Sequence, residues 1–347
     1  MVAGDKSFCE TNAETTGNDG PSMSAETNNS GNAFLTGCLC ALGCETLHGM
    51  SYAFTKQSTS SAGVFFVLGW RFLLAAALMT VCIAAGLVKV RFRGKPLMPL
   101  LSVVFLCPIV YFLGETLGIS RTTSTECGVF VASIPVISLV ASTLILKKSP
   151  TGLQVAGILI TLAGMLTCVA AAGMSSSFSP LGYLFLSVAV ISYSLYFVYV
   201  DKASAYTGVE LTYAMQLAGA ALFTVLALAE AVRRGDVAEL VLMPFRDKGF
   251  LIAVLYLGIG CSVFAIWLSN VAIAKLGVNR AASFIGVATL VSVLTGTLVS
   301  VLTGTLMLHE SFTLPQIIGA ILIIVGVYTT NARRAEHKPE KEEEPAQ

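Results

Sequence analysis

The feature that most constrains this chain is a succession of apolar runs, each close to the roughly 20 residues a helix needs to cross a bilayer. Short polar or Gly/Pro-rich breaks separate them, and the runs fall near 34–56, 63–87, 97–119, 125–146, 152–172, 180–200, 207–232, 249–274, 279–308 and 313–331. All are far longer than the roughly ten-residue alternating segments of a membrane barrel, so helices are expected and strands are not. Composition agrees: 55% of the 347 residues are hydrophobic and 12% are charged, whereas an ordinary globular domain carries about 25% charged residues. A soluble protein is excluded. Net charge is +1, with no basic run of the size a nucleic-acid surface needs, so nucleic acid is excluded as a partner.

Polar tails flank the apolar region. Residues 1–32, rich in Ser, Thr, Asn, Gly and acids, lack the basic and apolar regions of a signal peptide and are expected to be a disordered cytoplasmic tail. Residues 332–347 form a short charged tail. Of nine cysteines, Cys9 alone lies well away from the apolar segments, and none shows paired CxxC spacing. They read as small packing residues, with no metal and no cofactor expected. Ten helices with a cytoplasmic N-terminus put Lys89, Arg91, Arg93, Lys95, Lys147, Lys148, Lys202, Lys275, Arg280, Arg333 and Arg334 inside. The positive-inside rule then sets both termini in the cytoplasm. The connection RRGDVAELVLMPFRDK runs against this, with basic residues on the outer side accompanied by three acids.

The chain also repeats itself. SLVASTLILKKSPTGLQVAGILITLAG, from Ser138, matches SVLTGTLMLHESFTLPQIIGAILIIVG, from Ser300, without a gap; Thr143/Thr305, Gln154/Gln316, Gly157/Gly319 and Gly164/Gly326 coincide. Earlier, Gly37/Gly182 and Gly63/Gly208 align at another constant offset, which sets Arg71 opposite Gln216. An odd number of helices per repeat makes the halves oppositely oriented, as in many secondary transporters, whose sites lie near the midplane between the halves. The expected fold is therefore an all-α integral membrane protein of about ten transmembrane helices arranged as two inverted five-helix repeats, 33–172 and 178–331. In the second half VSVLTGTL occurs twice in succession, at 291–298 and 299–306, and deleting one copy brings the halves into nearly continuous register. The extra copy is expected to be dispensable.

The segments HGMSYAFTK, GWRFLL, SIPVISLVASTLILKK and QVAGILITLAG of the first half, with SYSLYFVYVDK, SFIGVATLVSVLTGTLMLHES and QIIGAILIIVG of the second, carry a resemblance. The chain resembles the EamA-like branch of the drug/metabolite transporter superfamily from about residue 34 to 330. His48 stands where that family commonly has Trp, and Lys147 and Lys148 where it has an acid. The resemblance implies a secondary transporter, often outward-directed, of a small metabolite, amino acid or drug, working by alternating access in the bacterial cytoplasmic membrane. The alternative is an exchanger of an anionic metabolite such as a sugar phosphate or nucleotide conjugate. The expected partners are the lipid bilayer, a small-molecule substrate, protons as coupling ion and a second copy of the chain. A non-transporting sensor or assembly subunit is a third reading.

Ionisable residues within the hydrocarbon region are site candidates by default, because each costs several kcal/mol there on most scales, a figure on the order of 3 kcal/mol even on the mildest. Glu45 falls near the middle of the first helix, with His48, Tyr52 and Lys56 on the same face at i+3, i+7 and i+11. Glu45 and His48 could exchange protons, since removal from water disfavours the charged form of either type of side chain; a neutral structural Glu is the competing reading. Arg71, on the second helix, could hold a substrate carboxylate or phosphate, pair with Glu45 or Glu115, or snorkel to the headgroups. Glu115, one turn beyond Tyr111, could gate or bind. In the second half Tyr193, Tyr196, Gln216, Trp267 and Asn270 could line a cavity or serve as interhelical glue. No HExxH, GxSxG or P-loop is present and the chain has three His, so an enzyme is not expected.

Overall fold

The computed structural model describes residues 23–122, 127, 130–171, 179–291 and 314–332. Among them the chain is entirely helical, without strands. The helices are α1 (Met23–Ala62), α2 (Val64–Ala84), α3 (Leu97–Arg121), α4 (Ile134–Leu146), α5 (Gly152–Ala171), α6 (Pro180–Lys202), α7 (Gly208–Arg234), α8 (Val237–Arg246), α9 (Lys248–Leu276), α10 (Val278–Ser283) and α11 (Leu314–Asn331). Six are long and apolar enough to cross a membrane, and four shorter apolar helices accompany them among the described residues. Beyond Val291 the tandem octamer lies outside the described residues, as do both ends of the chain.

Burial is inverted relative to a soluble protein. Large apolar side chains such as Leu144, Val81 and Ile324 point outward, while Glu45, Arg71, Glu115, Gln216 and Asn270 are buried. Apolar surface turned outward is stable only against lipid, and polar groups turned inward need either partners or water.

The helices pack in reciprocal pairs. α2 lies along α7, α5 along α11, α3 against α6 and α1 against α9. The α5–α11 seam is closed by glycine: a Cβ on Gly157 would stand 2.7 Å from the Gly326 carbonyl oxygen, one on Gly326 2.7 Å from that of Gly157, and one on Gly164 2.7 Å from that of Gly319. Backbones this close exclude any side chain at the crossing. α1 and α2 are joined by Gly63 alone, whose φ of 87° supplies a reversal that an L-residue adopts only with strain.

Both α3 and α9 widen mid-helix into π-helical turns, Phe105–Tyr111 and Tyr256–Ala265. In α3 the cause is visible in the sequence, because Pro108 has no amide hydrogen to continue the ladder. Each widened turn offers a carbonyl to another helix. Ser192 Oγ of α6 donates to Leu106 O at 2.8 Å, and Gln216 Nε2 of α7 donates to Ser262 O at 2.5 Å. Such π-turns are frequent at functional sites.

One membrane face is tied by ion pairs between elements. Lys95 Nζ, in the connection before α3, lies 2.5 Å from Glu210 of α7, whose other oxygen accepts from the Arg91 amide at 3.0 Å. Glu210 also completes a capping box with Thr207. Lys148, after α4, pairs with Asp201 of α6 at 2.6 Å. At the opposite face the RRGDVAELVLMPFRDK connection contains α8, capped by Asp236 and tethered by Trp70 Nε1 donating to Leu240 O at 2.8 Å. Val237, Val241 and Phe245 of α8 are exposed, as in a helix lying at the headgroup boundary.

Candidate functional site

The π-turn of α9 brings Arg71 and Gln216, the residues that the repeat sets opposite one another, onto a single partner. Arg71 Nε donates to Ser262 Oγ at 2.7 Å, while Gln216 takes the Ser262 carbonyl. The Arg71 guanidinium lies 4.3 Å from the centre of the Phe112 ring, a cation–π contact that holds its plane. Arg71 is only 2% exposed, so it does not snorkel. Neither Glu45 nor Glu115 comes within ion-pair distance of it, and its terminal nitrogens have no hydrogen-bond partner among the described residues.

Glu115, 9% exposed, accepts a 2.5 Å hydrogen bond from Tyr111 Oη. Tyr111 stacks on Tyr193 with ring centres 4.4 Å apart, and Tyr193 on Tyr196 at 5.4 Å. Tyr196 Oη then donates to Asn270 Oδ1 at 2.7 Å, and Asn270 Nδ2 donates to Thr212 Oγ1 at 3.0 Å. The result is an aromatic and polar wall running from α3 through α6 to α9 and α7. Asn270 is satisfied on both sides and acts here as interhelical glue. Gln216 is half satisfied, its Oε1 buried without a partner among the described residues.

On the α1 side, Glu45 is 5% exposed and lies within electrostatic reach of Tyr52, Tyr193 and Tyr196. Its carboxylate oxygen meets the Cys44 thiol at 3.6 Å, and Cys44 Sγ lies 3.5 Å from His48 Nδ1. His48 and Tyr52 are half-buried. The side chain of Lys56, the last member of the expected stripe, lies outside the described side chains. Trp267 stands apart: it is 36% exposed, beside Gly208. Of the candidates read from the sequence, Glu45, His48, Tyr52, Arg71, Tyr111, Glu115, Tyr193, Tyr196, Gln216 and Asn270 thus share one connected region. The sequence reading passed over Ser262, which holds Arg71, and Cys44, which holds Glu45 and His48. Cys44 had a visible signal, its spacing of one helical turn from His48. Ser262 had none beyond Gly258 and Gly260 in an otherwise apolar helix.

The profile of the EamA-like transporter family matches this chain twice, over residues 35–170 and 180–332. The uncharacterized transporter YcxC of Bacillus subtilis (strain 168) is 30% identical over 285 residues, 82% of this chain and 88% of that protein. The uncharacterized transporter YvbV of the same organism is 23% identical over 291 residues, 84% of this chain and 90% of that protein. A crystal structure with 20% sequence identity superposes with a TM-score of 0.65, covering 86% of this chain and 98% of the other, and so shares the fold. Two consecutive family matches spanning nearly all the apolar helices, with a 30% identical relative covered over most of its length, make this an integral membrane protein belonging to the EamA-like transporter family.

Proposed function

We propose that the protein is a proton-coupled secondary transporter that exports a small metabolite, amino acid or drug across the cytoplasmic membrane by alternating access. The observation that carries this reading is the trio Glu45, Arg71 and Glu115: three ionisable side chains, each at least nine-tenths buried, with no ion pair among the described residues. Uncompensated charges in hydrocarbon are too costly to keep for packing alone, so a proton, a ligand or water completes them. Two carboxylates can carry protons, and the tyrosine wall offers rings and hydroxyls to an organic substrate.

The same reading makes the chain two inverted five-helix repeats, 33–172 and 178–331, between polar tails at 1–32 and 332–347, with both termini cytoplasmic. Reciprocal packing of α3 with α6 and α1 with α9, and of Gly157 with Gly326 and Gly164 with Gly319, supports it. The two halves then supply the two sides of one midplane site, which lies between rigid bodies that rock.

A screen of the purified protein for thermal stabilisation by metabolites, followed by counterflow of the stabilising compound in proteoliposomes, tests the proposal. Glu45→Gln should insert and fold yet lose transport or its pH dependence. Wild-type flux with unchanged pH dependence would make Glu45 structural. A second reading, exchange of an anionic metabolite, is favoured by the unpartnered terminal nitrogens of Arg71, which suit a carboxylate or phosphate. Stabilisation confined to anions, lost in Arg71→Met, would select it.

A further inference from the structure

Cys44, Glu45 and His48 occupy little more than one turn of α1, and their three donor atoms all lie within 4.8 Å of one another. We propose that they form a binding site for a thiophilic divalent cation of the Zn²⁺ class. The inference rests on the transport reading only for a water route by which ions reach α1.

The two separations from sulfur are those a metal requires, and the remaining donor pair lies within 4.8 Å. Zn–S near 2.3 Å and Zn–N near 2.0 Å at a tetrahedral angle separate sulfur from nitrogen by about 3.5 Å, and sulfur from a carboxylate oxygen by about 3.6 Å. Cys44 Sγ is 3.5 Å from His48 Nδ1 and 3.6 Å from Glu45 Oε1. The thiol can donate to the carboxylate and accept from an imidazole N–H in the ion-free form, so what singles out a metal is the convergence of three ligand types on one point. A cation between them engages all three donors at once.

Charge points the same way. A thiolate, a carboxylate and a neutral imidazole carry two negative charges, which a divalent ion cancels, leaving a neutral assembly in a low-dielectric interior. Glu45 has no other cation within ion-pair distance among the described residues. A second thiol stands close by. Cys261, in the π-turn of α9, donates to Leu47 O at 3.5 Å and lies within electrostatic reach of Cys44.

The test uses the full chain, purified in detergent, freed of any histidine tag and stripped with chelator, with Co²⁺ and Zn²⁺ as probes. One Co²⁺ per chain should bind with a thiolate-to-metal charge-transfer band, and Zn²⁺ should abolish that band by competition. Cys44→Ser should remove the band and weaken Zn²⁺ binding at least about tenfold, since even outer-shell changes cost that much. His48→Ala should weaken binding while any residual Co²⁺ complex keeps the band. No band in the wild type, or unchanged Zn²⁺ affinity in a folded Cys44→Ser variant, overturns the proposal. If that variant does not fold, maleimide labelling of Cys44 in the wild type decides: protection by Zn²⁺ supports the site and its absence refutes it. Counterflow measured in chelator tests the transport reading separately.

Discussion

Replacing Ser262 by Ala isolates the contact on which the placement of Arg71 depends. The Oγ accepts the Arg71 Nε hydrogen at 2.7 Å, in a site where the arginine is 2% exposed. The substitution deletes a single oxygen and opens no sizeable cavity, so the loss of this bond dominates. Hydrogen bonds to charged groups contribute about 1.5–3 kcal/mol. Ser262→Ala should therefore destabilise the protein by about 1.5–3 kcal/mol. The stack on Phe112 at 4.3 Å remains and keeps the guanidinium near its position. Arg71→Met removes the charge together with its desolvation penalty, and such replacements are often neutral or stabilising. In the Arg71→Met background Ser262→Ala should cost no more than about 0.5 kcal/mol, leaving a coupling energy of about 1–2.5 kcal/mol. The assay is a double-mutant cycle from reversible unfolding of the four purified proteins in mixed micelles. Equal costs of Ser262→Ala in both backgrounds would refute the claim that Ser262 holds Arg71, and with it the argument that the guanidinium is fixed for a ligand.

Three further outcomes follow from the packing and the repeat. Gly157→Leu should lower detergent-extracted yield and destabilise the fold by about 1–3 kcal/mol or more, because its Cβ would stand 2.5 Å from the Thr330 amide nitrogen; Gly152→Leu, whose Cβ meets nothing within 4 Å, should stay within about 0.5 kcal/mol of the parent. Equal melting temperatures for the two variants would contradict the seam. Deleting 291–298, one copy of the octamer, should maintain or raise folded yield and melting temperature, whereas a misfolded product would show that both copies are built into the packing. Reporter fusions after Ala332 should be active only with a cytoplasmic reporter; activity of a periplasmic reporter there would reverse the proposed orientation.

Much of this architecture is legible without coordinates because lipid imposes so simple a rule. Apolar length marks the spans, and the six long and four shorter apolar helices overlap the ten runs one by one. The repeat set Arg71 opposite Gln216, and the two share Ser262. Glu45, Arg71 and Glu115 stand out in the sequence because charge is rare there, and all three are buried. What escaped the sequence depends on register. A π-turn shifts every following side chain around the helix axis, so the direction of Ser262 could not be read from a 3.6-residue period. Trp267, on the same helix, is one of the most exposed of the residues expected to line the site. α8 was hidden because its ten residues are too few to span a bilayer, and its apolar face became visible only once Trp70 fixed its position.

Among the described residues the two ion pairs between elements both join the first half of the chain to the second, Lys95 to Glu210 and Lys148 to Asp201, and both lie on the same membrane face. On the other face the ion pair among the described residues is Arg234 with Glu230, one turn apart in a single helix, which crosses nothing. Parting the halves on the first face must separate opposite charges near bulk electrolyte, while parting them on the second separates none of these. Screening therefore acts on only one of the two motions. Added salt shortens the Debye length from about 10 Å at 0.1 M to about 3 Å at 1 M, which loosens the two pairs of the latched face and, among the described residues, no pair between the halves on the other. If the proposed alternating access holds, ionic strength becomes a one-sided control on it, shifting the balance between the two open forms that such a cycle requires.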